Sequence, residues 1–174
     1  MPLEIPPNFE NDIQGRDTAI VPIVLIGDEP PYHDDFSKFI YLSTNSFTLP
    51  MLSIETPLAI ANFRPILLNI PSLKESIDIE KRNYKISSIN LDISNFPYNG
   101  ERFSELFDTS IINTEVRIFW VSPSVATLAL YDFMQYVFQD TDAFQIFNGT
   151  IRRYTHDDEK ARLVVEDKSQ SVFH

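Results

Sequence analysis

The tripeptide His-Asp-Asp occurs twice in the chain, as His33-Asp34-Asp35 and His156-Asp157-Asp158. Imidazole and carboxylate groups ligate divalent cations, so the two copies together would make a mixed nitrogen and oxygen site. Nothing in the sequence forces the two loops to meet. Among 25 acidic residues, two acidic turns need no functional explanation. The expectation is no tightly bound metal and no cofactor. Nucleophilic catalysis lacks its signature, because no Gly-x-Ser-x-Gly turn holds a serine on a sharp bend. Gly15, Gly27, Gly100 and Gly149 are the only glycines and form no phosphate-cradling loop. There is no Cys, which removes disulfides, thiolate ligands and thiol nucleophiles. Paired carboxylates of the glycosidase kind stay open in so acidic a chain, but no spacing marks a pair. The expectation is a protein that is not an enzyme.

Binding chemistry has more candidates. Phe96, Tyr98 and Phe103 cluster in a polar loop region. They either tuck under the loop or anchor a partner, since aromatic rings dominate interface energetics. Arg152-Arg153 is a small basic strip, a candidate match for acidic neighbours across a subunit contact. Trp120 lies in an apolar run and reads as core rather than as a ligand platform. Asn148-Gly149-Thr150 matches a glycosylation sequon but, without a secretion signal, reads as a turn or kink. The chain has 14 basic and 25 acidic side chains and a formal charge of −11. Such a surface repels phosphate backbones, so no specific nucleic-acid binding is expected.

The elements that must position these residues are mostly strands. Apolar residues make up 43% of the 174 and aromatics 13%, enough for one domain with a core. The pattern is clearest between Leu73 and Val121. Ser88 to Ser94 alternates, so Ile89, Leu91 and Ile93 face a core while Asn90 and Asp92 face water. Ser76 to Glu80 repeats the alternation with Ile77 and Ile79. Tyr84 and Ile86 sit on the other parity, which a bulge near Ser87-Ser88 would correct. Asn113 to Val121 is apolar on both parities, the mark of a strand covered on both faces. Phe144 to Tyr154, with a Gly-marked bulge, and Lys160 to Glu166 read as a hairpin around a turn at 155–159. Thr18 to Ile26 is a buried apolar run that Pro22 assigns to an edge or a bulge, so Ile20 to Ile26 is a candidate apolar edge. Lys38 to Ser43 and Ile66 to Ile70 read as short strands. Phe103, Leu106 and Phe107 allow one or two helical turns, and Thr127 to Phe138 reads as a short helix or an excursion.

Ten of the twelve prolines lie at or before Pro71, so the front of the chain is loop-rich. Residues 1–17 read as a Pro-punctuated N-terminal arm without apolar period, free or docked on a neighbouring subunit. Residues 18–174 form a single β domain. The N-terminus has no basic and apolar leader, and no apolar run approaches the ~18 residues of a membrane span. A protein made in the cytoplasm and not inserted into a membrane is expected.

Three segments carry a family resemblance. They are Pro71 to Glu80 continuing through Ile86 to Asn95; Asn113-Thr114-Glu115-Val116-Arg117-Ile118-Phe119-Trp120; and Phe147 to Tyr154 with Val164 to Gln170. In this order they resemble the N-terminal domain of tail hub and baseplate (tail-tip) structural proteins of tailed bacteriophages. That family has a strand pair, then a strand ending in Trp, then a hairpin with a basic pair and a closing Glu-Asp. Relatives continue beyond the equivalent of His174, and this chain has extra residues between Pro123 and Phe144.

The resemblance implies a mainly β fold, an antiparallel β-barrel or sandwich of the tail-tube type with one or two short helices. It also implies a structural virion protein in a ring at the tail tip. That ring would be a trimer if it is the hub and a hexamer if it is a neighbouring tube or distal-tail ring, with the trimer favoured. Implied partners are other tail proteins such as tube, distal-tail, tape-measure or fibre proteins. Phe96, Tyr98, Phe103, Arg152 and Arg153 are the expected subunit-interface residues. A carbohydrate-binding β-sandwich module with exposed aromatics as the sugar platform is the alternative, and a small hydrolase domain a third reading.

Overall fold

The computed structural model describes residues 5, 7–15, 19–27, 39–52, 59–69, 75–78, 83–86, 88–122, 128–129 and 143–168. The fold is mainly β with little helix. Its centre is a curled six-stranded sheet in the order β2-β1-β8-β10-β11-β7. These strands are β1 (Val21–Ile26), β2 (Ile40–Ser43), β7 (Ile89–Ser94), β8 (Glu115–Val121), β10 (Phe144–His156) and β11 (Lys160–Asp167), and every pairing among them is antiparallel. A second sheet has the order β4-β3-β9, from β3 (Phe47–Leu52), β4 (Ala59–Phe63) and β9 (Leu128–Ala129). A third is the hairpin β5 (Glu75–Asp78) and β6 (Asn83–Ile86).

Two apolar clusters lie on opposite faces of the main sheet. Inside the curl, Val24, Ile26, Leu91, Ile93, Ile118 and Leu163 are each at most 1% exposed. On the outer face, Ile23, Leu25, Phe119 and Val121 pack with Leu49 and Phe63 of the second sheet. Adjacent residues of β1 and β8 thus point into different cores, which is why those segments are apolar on both parities. Ile89, Leu91, Ile93, Val116, Ile118, Leu163 and Val165 are buried as their alternation requires. The side chains of Ile77 and Ile79 lie outside the described residues.

The two edges of the main sheet are joined. Beyond β4, the chain from Arg64 to Leu68 runs between β2 and β7. On one side the N–H groups of Ser43, Arg64 and Leu67 donate to the carbonyls of Arg64, Tyr41 and Ser43. On the other, Leu68 N–H donates to Asp92 and Ser94 N–H to Ile66. The Asn69 side chain extends this seam by accepting from Asp92 N–H at 2.7 Å and donating to Asn90 O at 3.0 Å. In the stretch expected as a strand at Ile66–Ile70, the described residues 66–69 form an irregular connector with one bridge among them, Leu67 to Ile93. Ile66 and Leu67 are both buried, which a regular alternation does not allow.

Several other expectations change. β1 is not an edge, because it pairs with β8 from Val21 to Ile26 and with β2 from Ile23 to Ile26. Pro22 is tolerated because it lies one residue beyond the β2 ladder, where Ser43 Oγ donates to its carbonyl. The bulge expected near Ser87-Ser88 falls on Ser87, which lies outside the described residues. β5 and β6 pair only with each other among the described strands, so the parity change marks a change of sheet. The bulges in β10 lie at Gln145/Phe147 and Ile151/Arg153, flanking Gly149 rather than at it. Gly149 is required for another reason: a Cβ there would strike the Glu166 carbonyl and the Phe147 ring. The N-terminal stretch contains a helix, α1 (Pro7–Ile13). Phe9 in it is buried with its ring 5.3 Å from that of Phe144, so part of the arm docks on its own domain. The stretch Thr127–Phe138 lies outside the described residues apart from β9, and so do Glu29–Ser37 and His33-Asp34-Asp35.

Candidate functional site

One end of the curled sheet is built around Asn95, a buried polar residue directly after β7. Its N–H donates to Glu159 O at 2.8 Å and its side-chain amide to Asp157 O at 2.6 Å. Its Oδ1 accepts from Ser104 N–H at 3.0 Å. One side chain thereby ties the end of β7, the β10–β11 turn and the 3-10 turn Phe103–Glu105 into one unit. Satisfying its backbone N–H and both ends of its side-chain amide makes its burial affordable. Asn99 and Gly100 follow with φ of 55° and 89°, between reciprocal hydrogen bonds of Tyr98 and Glu101. That is the two-residue turn with both central φ positive that Asn-Gly favours.

This end separates the three candidate aromatics. Phe96 is 58% exposed beside the acidic turn. Tyr98 is partly buried against the inner core. Phe103 is 1% exposed, with its ring 5.2 Å from Phe107 and 6.4 Å from Tyr154. Phe103 is therefore covered by its own domain rather than presented on the surface of this chain. It is the plug under the loop, because the 3-10 turn points its ring inward.

The His156-Asp157-Asp158 turn also lies here. His156 stacks on Tyr154 at 5.2 Å. Asp157 Oδ1 accepts from the N–H groups of Glu159 and Lys160, which holds its carboxyl below the usual carboxylate range. It acts as a turn former. The Asp158 carboxylate is 99% exposed, with Arg102 at 3.4 Å. Among the described residues, no group of three or more His, Asp or Glu side chains converges on a metal position. Among them, too, no helix is long and apolar enough to cross a membrane.

The outer face of β7, β11 and β10 is charged. Asp92 receives Lys160 Nζ at 2.8 Å and Arg162 Nε at 2.9 Å. Partial burial pushes its carboxyl up, but the two cations outweigh this and hold it below the ordinary value. Arg152 Nε meets Glu166 at 3.1 Å and its Nη1 donates to Asn113 Oδ1 at 3.0 Å. Arg153 is exposed beside it, because the bulge at Ile151/Arg153 turns two consecutive side chains outward.

A third polar group lies under cover at the β8 end of the sheet. Glu115 and Arg117, two apart on β8, share a face and are each 7% exposed, with Arg117 Nε 3.0 Å from Glu115 Oε1. Lys168 Nζ reaches Glu115 Oε2 at 3.3 Å. Burial pushes the Glu115 carboxyl up, and Arg117 and Lys168 more than reverse it. Beside it is an open depression of about 390 Å³, lined by Gln145 to Asn148, Asp167 and Lys168. Asn148 is the register partner of Arg117, in mid-strand rather than in a turn, and its Oδ1 is buried with no hydrogen-bond partner among the described residues. Trp120 is only partly covered.

Of the expected interface residues, Phe96, Arg152 and Arg153 reach solvent, Tyr98 only partly, and Phe103 not at all. Sequence reading missed Asn95, Glu115, Arg117, Lys160 and Arg162. Glu115 and Arg117 carried a signal: two opposite charges at i and i+2 inside a strand apolar on both parities. Asn95 carried none, since its partners come from segments far apart in sequence. Comparison with protein-family models, curated proteins and solved structures finds no match to this chain.

Proposed function

We propose that this chain is a non-enzymatic structural subunit of a bacteriophage tail tip, forming the hub or an adjoining ring, with a β-barrel core of the tail-tube type. One observation carries the reading. The segments that resemble tail hub proteins contribute to β7, β8, β10 and β11, and these lie side by side in the order β8-β10-β11-β7. A pattern scattered through the sequence is thus one continuous surface, as a shared domain requires. The Glu75–Asp78 portion of the pattern stands apart, in the β5–β6 hairpin. Strand-rich subunits that ring a lumen need a sheet without open ends, and the seam at Arg64–Leu68 supplies that here.

The experiment is electron microscopy of virions labelled with antibody against this chain, followed by reconstruction of the tail tip. Density for the curled sheet in a three-fold or six-fold ring is the expected result. Label absent from tails, with glycan binding on an array, would replace this reading by the carbohydrate module. The candidate rings do not favour that alternative. Tyr98 and Trp120 are partly covered and Phe103 is buried, which leaves Phe96 as the one exposed ring among them.

A further inference from the structure

We infer that the outer face of β7, β11 and β10 receives the acidic end of a second copy of this chain, in a head-to-tail contact. The inference rests on the ring-forming reading. The chain carries −11 overall, yet this face carries Lys160, Arg162, Arg152 and Arg153 against the carboxylates of Asp92 and Glu166. Both carboxylates are already engaged by cations of the same face. Arg153 is exposed and forms no ion pair among the described residues. Half-buried Val164 lies between the cations, opposite Arg153 in the ladder. The other side of these strands is packed into the inner core, so this is the side they present outward.

The complementary surface lies at the hairpin tip. Asp157, Asp158 and Glu159 are all exposed there, and Phe96 adds a ring. The hydrogen bonds of Asn95 fix this tip before any partner arrives, which lowers the ordering cost of binding. Positive face and negative tip are different patches of the chain, one on the strands and one on the turn that joins them. A contact between them repeats from copy to copy, so it closes a ring or continues as a filament rather than stopping at a two-fold dimer. Carboxylates of a second copy suit the face better than phosphates do. Four cations, three of them already paired within the face, leave too little free charge to hold a polyanion against the field of the whole chain.

The test is the association state of the full 174-residue chain, by sedimentation velocity at about 50 mM and about 500 mM salt. The wild type is expected to associate at low salt and to weaken at high salt. The double variants Arg152→Glu/Arg153→Glu and Asp158→Lys/Glu159→Lys should each weaken association about tenfold or more. The chain carrying both pairs should recover most of it, and Phe96→Ser should weaken it with all charges retained. Circular dichroism melts establish that each variant folds. Association that ignores all of these changes overturns the inference and leaves the ring reading standing. A wild type monomeric at both salts overturns both. If a fluorescent DNA duplex binds the wild type and is lost with the arginine pair while self-association persists, the face has a different occupant.

Discussion

The two halves of the six-stranded sheet are built on opposite plans. β1 and β8 are buried on both faces, in the patterns of half-buried Val21 followed by five buried residues and of a β8 with only Trp120 partly open. β7 and β11 alternate, with Ile89, Leu91 and Ile93 inward and Asn90, Asp92 and Ser94 outward. One backbone ladder runs through both. The difference is made by what lies outside it: the β3–β4 layer over one half, water over the other. Stability is therefore concentrated in the first half, and surface chemistry is free to vary on the second.

The largest expected effect is on adjacent residues. Ile118→Ala and Phe119→Ala should each destabilise by about 3–5 kcal/mol, since each empties a different core. On β11, Leu163→Ala should cost about 2–5 kcal/mol but Arg162→Ala under about 1 kcal/mol. Urea denaturation of the four variants reads this directly. Equal costs for Arg162 and Leu163 would erase the distinction between the halves.

The next effect compares carboxylates. Glu115→Ala deprives buried Arg117 of its carboxylate and should cost on the order of 3 kcal/mol. Glu166→Ala, whose salt bridge to Arg152 is about half exposed on both sides, should cost under about 1 kcal/mol. Gly149→Ala, where β8, β10 and β11 meet, should cost about 1–3 kcal/mol by forcing strands apart, visible as a lowered urea midpoint at unchanged slope.

Acid sharpens the same contrast with a smaller signal. Glu115 and Asp92 have carboxyls held below their ordinary values in the folded chain. Their contributions are complete above the unfolded carboxylate pKa of about 4 and are lost as pH falls through the lower folded values. Stability should fall below about pH 5. Glu115→Gln should flatten that fall more than Asp92→Asn, because Asp92 is the more exposed of the two. Chemical denaturation between about pH 2 and 7 measures both slopes.

Much of this architecture was legible in residue patterns, and what was not has physical causes. Period-two alternation announced β7 and β11, and the two-sided apolar run announced β8, because burial by a sheet is a local rule. Pro22 misled because a missing N–H matters only where a neighbour strand needs it, and β2 stops one residue short. Among the described side chains of α1 only Phe9 is buried, too few to set a period. The Arg64–Leu68 connector takes its form from two strands distant in sequence, which no local window contains. Phe96, Arg152 and Arg153 were legible as surface candidates; their contrast with Phe103 depends on a 3-10 turn that composition does not specify.

The pairing of Val21 with Val121 has a consequence for how the chain is made. β10 and β11 are joined by a short turn and can zip together early, whereas β1 must wait for a partner far along the chain. In pulse-labelled refolding, the amides of Leu25 and Ile118 should gain protection after those of β11. During synthesis, Ile23 and Leu25 leave the ribosome long before β8 exists to cover that side. A polypeptide cut short before Glu115 would carry an apolar strand with one flank open, and such a fragment is a seed for aggregation rather than a smaller folded protein.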